Sequence, residues 1–176
     1  NNEVPGNDAS QEGAWISTLD EIEMPYETSF TWQISFPPVE EGGPVQFESG
    51  TENGVQTFIA KGASGGYLKG WMLGPSNIEM KLNQGVQAKV RGQHAKIWVV
   101  MFMGYGDPIS ASVSGNGINS VLESGDFRLY FDINSQKLMT SNNNADAIYP
   151  VNLMPMAQLK AYPEIAKNVL ELQNGQ

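Results

Sequence analysis

The amino-acid sequence predicts an all-β fold, an antiparallel β-sandwich or jelly roll with a short C-terminal helix. Three observations carry this. Apolar side chains recur at every second position through most of the chain, the period of a strand with one buried face. Gly, Pro and Asn interrupt that pattern at intervals of roughly ten residues, the rhythm of short strands joined by turns. Near the C-terminus the pattern changes to a helical one.

Taken in order, residues 1–13 (NNEVPGNDASQEG) hold a single branched aliphatic side chain, Val4. They cannot bury enough surface to offset ordering entropy, so a flexible polar leader is expected, ahead of one β-sandwich domain over 14–176. A tether behind an upstream lipid anchor and a frayed terminus both fit it. The chain opens on Asn1-Asn2-Glu3 without Met, as a processed or trimmed product would.

Thr28 to Phe36 alternates, with Phe30, Trp32, Ile34 and Phe36 on one face and Thr31, Gln33 and Ser35 on the other, until Pro37-Pro38 stops it. Val55–Ala60 and Tyr67–Leu73 are two further strands, joined by Gly62-Ala63-Ser64-Gly65-Gly66. Ile78, Met80 and Leu82 alternate with Glu79 and Lys81, and Asn83-Gln84-Gly85 turns the chain into Val86, Ala88 and Val90. Lys96–Met103 is apolar on both faces, as a central strand covered from two sides would be. Phe127, Leu129, Phe131 and Ile133 alternate inward, and Asn134-Ser135-Gln136 leads into Lys137–Thr140. Pro163 suits the first turn of a helix over 163–172, with Ile165, Ala166, Val169 and Leu170 on one side.

Composition narrows the class. The 176 residues are 40% hydrophobic and 10% aromatic, the content of a globular protein. The longest strong apolar run, Ile97–Met103, is far short of the ~18 residues that span a bilayer. Cysteine is absent, which removes disulfide and thiolate chemistry and fits an exported bacterial protein. Up to Ala60 there are eleven carboxylates and no Lys or Arg; from Lys61 onward eight acids face ten bases. With a net charge of −9 and no basic stripe, neither nucleic acid nor anionic lipid is an expected partner.

Catalytic motifs do not assemble. Gly62-Ala63-Ser64-Gly65-Gly66 matches G-x-S-x-G, but that elbow requires a helix after the serine, whereas Tyr67–Leu73 is strand-like. The one histidine, His94, sits in the polar stretch Arg91–Ala95, read as a loop with a surface imidazole. It has no companion His or Cys for zinc. The acids gather in turn-like segments, Asp20-Glu21-Ile22-Glu23 and Glu40-Glu41-Gly42-Gly43, where solvated charge is the simplest reading. No cofactor is expected, calcium being left open because hard oxygen ligands need no rigid motif.

The aromatics carry the binding hypothesis. Phe30, Trp32, Phe102, Phe127 and Phe131 fall on inward phases and are expected in the core. Trp15, Tyr67, Trp71 and Tyr105 adjoin Gly or polar residues near strand ends. The flat face of a sugar stacks on such rings while polar side chains meet its hydroxyls. Tyr67 and Trp71, four apart on one strand, share a face. With Lys69 on that face and Asn77 nearby they form the expected ligand platform, the competing reading being that both rings are core.

The segment Gly125-Asp126-Phe127-Arg128-Leu129-Tyr130-Phe131-Asp132-Ile133-Asn134-Ser135-Gln136-Lys137-Leu138 resembles the closing strand and hairpin of the β-sandwich modules in SusE- and SusF-type outer-membrane lipoproteins of Bacteroidetes. The polar leader is similar to the stretch after the lipidated cysteine of those proteins. The likeness covers about fifteen residues plus the leader. The family's early Gly-Trp strand has no clear counterpart, and some thirty-five residues come after the hairpin. The resemblance implies non-catalytic glycan binding at a cell surface and assigns no binding residue.

The expectation is therefore an exported, non-enzymatic module, at a bacterial cell surface or in the periplasm, that binds glycan or a protein partner. A structural or adhesive jelly-roll subunit is the first alternative, and a small glycan-active enzyme with two carboxylates the second.

Overall fold

Apolar side chains on both faces of Lys96–Met103 demand cover from two sides, and the fold supplies it. The computed structural model describes residues 13–36, 44–135, 137–142 and 145–149. In chain order the strands are β1 (Ala14–Ser35), β2 (Gln46–Glu52), β3 (Val55–Lys61), β4 (Gly66–Gly74), β5 (Glu79–Leu82), β6 (Gly85–Tyr105), β7 (Ser112–Ser114), β8 (Val121–Ser124), β9 (Phe127–Asp132), β10 (Lys137–Asn142) and β11 (Ala145–Tyr149). The structure is an all-β antiparallel sandwich.

Strands β1–β6 form one sheet, ordered β1-β6-β4-β3-β2 with β5 also against β6, and β7–β11 form a second sheet in sequential order. A jelly roll would distribute successive strands between both sheets; here each sheet is built from a continuous stretch of chain. The expected helix over 163–172 and residues 1–12 of the expected leader lie outside the described residues.

The larger sheet folds over itself. Strand β1 pairs with β6 in two halves, Ala14–Glu23 against His94–Met103 and Thr28–Ser35 against Gly85–Gly92. Between them Met24, Pro25, Tyr26 and Glu27 stand opposite Gln93 alone. Such a bulge bends both strands. The second half of β1, with the start of β6 and β5, then lies across the concave face of β1–β6–β4–β3–β2. Trp32 faces Phe58 at 6.4 Å and Phe36 faces Phe47 at 5.4 Å, although β1 and β2 are opposite edges of the sheet.

Two cores result, one on each face. The first holds Phe30, Phe58, Met72, Ile78, Val86, Ala88, Ile97, Val99 and Met101, among others, and its described members all come from the larger sheet and the segments flanking its strands. The second lies between the sheets: Trp71, Trp98, Val100 and Phe102 meet Leu122, Leu129, Phe131 and Leu138. Alternating residues of β6 serve the two cores, so the both-faces-apolar pattern has its cause. Fully buried side chains of this kind contribute roughly 1.5–3 kcal/mol each.

Three local expectations need correction. Asp20–Glu23 is not a turn but lies in β1. There Glu21 sits at the sheet rim, bonded to His94 at 3.0 Å and Lys96 at 3.1 Å. Arg91–Ala95 is not a loop but part of β6, since a bulged strand needs little apolar content at its bend; His94 is nevertheless exposed. Ile133 does not point inward: it falls in the turn after β9 and is exposed.

Candidate functional site

Strand β4 places Tyr67, Lys69 and Trp71 on one face, as their spacing requires, but that face looks at the second sheet. Tyr67 is 3%, Lys69 3% and Trp71 0% exposed. An exposed sugar platform at Tyr67 and Trp71 is thereby excluded in this fold, and the core reading of both rings is the correct one. Asn77 stays apart, exposed in the turn after β4.

What the three residues build is a polar latch. The Lys69 ammonium donates to the Glu52 carboxylate and, at 2.7 Å, to the Ile109 carbonyl. It also stands 5.1 Å from the centre of the Trp71 ring, a cation–π contact. The Trp71 indole donates to the other Glu52 oxygen at 2.9 Å, and the Tyr67 hydroxyl accepts from the Ile109 N–H at 3.1 Å. Asn53 reaches the Ala111 carbonyl at 3.4 Å. The connection from β6 to β7 is thus pinned to β4 and to the β2–β3 hairpin. Among the described residues no buried side-chain polar atom lacks a partner.

Burial works to raise the Glu52 carboxyl. Hydrogen bonds from Lys69 and Trp71, the Lys69 charge and the Ala111 N–H outweigh it, and Glu52 lies below its ordinary value. Glu52 escapes sequence reasoning because its partners are seventeen or more positions away. The Asn53-Gly54 turn, with both residues at positive φ, is the local signal of its hairpin.

Trp15, also read as a ring near a strand end, is half-buried between the sheets. It stacks on Phe127 at 4.2 Å with an interplanar angle of 9° and lies 5.8 Å from Trp71. Tyr105 is different. It is 62% exposed, and Met103 and Ile16 are 52% and 41% exposed. All three lie on the concave face of the larger sheet, since Ile16 pairs with Met101 and Met103 is flanked by Ala14 and Leu68. The Tyr105 ring lies over Gly66, where an added Cβ would stand 3.7 Å away. Thr18 and Asp20 continue this face along β1, and burial raises the Asp20 carboxyl.

The exposed end of the concave face is the candidate binding surface: a ring, a thioether and an aliphatic side chain for apolar contact, while Asp20, opposite Ile97, lies farther along the face toward the bend. Sequence reasoning named Tyr105 among the strand-end rings but gave no place to Ile16 or Met103. Among the described residues no three acidic or histidine side chains converge to hold a metal ion. No helix there is long and apolar enough to cross a membrane. Comparison with protein-family models, curated proteins and solved structures finds no match for this chain.

Proposed function

We propose that the protein is a non-catalytic exported binding module that takes glycan on the exposed end of its concave sheet face, with Tyr105 as the stacking ring. The observation that supports this is the solvent-facing Tyr105 beside Met103 and Ile16 on a face whose remaining apolar residues are largely covered. A sugar ring offers an apolar face to the phenol, with Met103 next on the same face of β6. The resemblance of Gly125–Leu138 to surface glycan-binding lipoprotein modules favours the same ligand class.

The test is a glycan array followed by calorimetry with the full chain and the Tyr105→Ala variant. Loss of a recognised glycan in the variant supports the reading; unchanged binding removes Tyr105, and no recognised glycan removes the ligand class. A structural or adhesive subunit is the second reading, favoured by the length of the β1 edge that has no strand partner among the described residues.

A further inference from the structure

Strand β1 borders the larger sheet, so its outer edge has no strand partner among the described residues over the length Ala14–Ser35. Open edges accept added strands, and proteins block them with charge, proline and bulges. Only part of β1 is blocked. Asp20, Glu21, Glu23, Pro25, Glu27 and the bulge occupy its middle, whereas Thr28 to Phe36 has neither charge nor proline. Those nine residues present about 30 Å of edge at ~3.4 Å per residue.

The core beside this edge is also incomplete. Phe30 is buried, but Trp32, Ile34 and Phe36 on the same face are half-buried. Trp32 reaches Thr18, which stands two residues from exposed Ile16 on the concave face. An incoming strand has backbone groups to pair with and apolar side chains to cover.

We infer that the second half of β1 is a strand-addition site for an extended segment of a partner protein, paired antiparallel to Thr28–Ser35. Its alternate apolar side chains extend the first core toward Ile16 and Met103. Antiparallel pairing carries the C-terminal end of that segment toward Glu27, Glu23, Glu21 and Asp20. Arg91 pairs with Glu27, and Lys96 and His94 with Glu21, but the four acids still outnumber these bases, so the segment bears Lys or Arg there rather than acids. The same acids, on a chain of net charge −9, disfavour a second copy as occupant. The inference rests on the open edge of β1 and not on the glycan reading, although an added strand that covers Ile16 and Met103 would compete with a glycan there.

The probe is a labelled, acetylated and amidated peptide, Thr-Val-Thr-Val-Thr-Val-Thr-Lys-Lys, titrated with the unmodified full chain by fluorescence anisotropy. Two further peptides carry backbone N-methyl groups on alternate residues in opposite phases, and a fourth replaces both lysines by glutamates. Because one edge of a strand makes all the bonds, one methylated phase loses binding and the other keeps it. The glutamate peptide binds at least about tenfold more weakly, an effect that salt reduces. Equal binding of the two methylated phases, no binding below about 1 mM, or equal affinity for the lysine and glutamate peptides overturns the proposal. A chain that is already a dimer and excludes the peptide overturns it as well, in favour of a second copy.

Discussion

The indole of Trp32 donates a hydrogen bond of 3.2 Å to the hydroxyl of Thr18, fourteen residues earlier on the same strand. Two side chains that far apart on a straight strand would be separated by about 45 Å at ~3.3 Å per residue. The contact exists because β1 bends at Met24–Glu27 and its second half returns across the concave face.

Thr18→Val keeps the shape of the side chain and removes the acceptor from a partly buried indole. The expected loss is about 1 kcal/mol, read as a lower urea midpoint with unchanged slope. In a double-mutant cycle with Trp32→Phe the two losses should fall short of additive. Full additivity would mean that the fold-over does not depend on this contact.

The latch at Glu52 and Lys69 makes a sharper prediction. Glu52→Gln leaves a buried ammonium without its counter-charge, which costs roughly 3–5 kcal/mol, toward the lower end because Glu52 is partly exposed. Adding Lys69→Met should recover part of that loss, since the unpaired charge is gone. Thermal melts of the single and double variants check both statements.

The pH dependence comes from the lowered Glu52 carboxyl. Its folded value lies below the ordinary 4.5, so the unfolded chain binds the proton first as pH falls. The stability contributed by the ionised form is present above pH 4.5 and is lost as pH falls through the folded value. Wild type should therefore lose stability faster than Glu52→Gln below pH 4.5, and parallel acid profiles would show that Glu52 contributes nothing to acid unfolding.

Much of this architecture was legible where one face of a strand is buried and the other is wet. Phe30–Phe36 in β1 and Phe127–Phe131 in β9 alternate for that reason. The first half of β1 was not legible because both its faces carry large apolar groups, Trp15 and Leu19 toward the second sheet and Ile16 and Ile22 toward the first core. Period two then vanishes, and the acids that guard an edge strand resemble a turn. The site was misplaced for a related reason. Glycines beside Tyr67 and Trp71 suggested room for a ligand, yet Gly70 is needed by the protein itself: Phe58 lies over it.

That packing is testable. A Cβ at Gly70 would meet the Cε1 and Cζ atoms of Phe58 at 2.2 Å, and Phe58 is fully buried in the first core. Gly70→Ala should cost about 1–3 kcal/mol through overpacking. Gly66→Ala, whose nearest neighbour is the exposed Tyr105 ring at 3.7 Å, should stay within about 0.5 kcal/mol of wild type. Equal effects at the two positions would contradict the described placement of Phe58.

Tyr105 and Trp71 read from sequence as the same kind of residue, and the structure sets opposite outcomes for them. Trp71 is fully buried, touches both Glu52 and Lys69 and lies against Trp15. Its replacement by alanine opens a cavity and removes one donor from the Glu52 carboxylate, so Trp71→Ala should cost roughly 3–5 kcal/mol. Tyr105→Ala removes a ring that is mostly in solvent and should change stability by less than about 0.5 kcal/mol. If the exposed end of the concave face binds glycan, the same substitution weakens binding several-fold, since stacking on one ring is worth about 1 kcal/mol beyond area burial. Melting temperature and glycan affinity, measured together on both variants, separate folding from binding. A Tyr105→Ala protein that melts as wild type does and binds as wild type does would leave the concave face without a role in recognition.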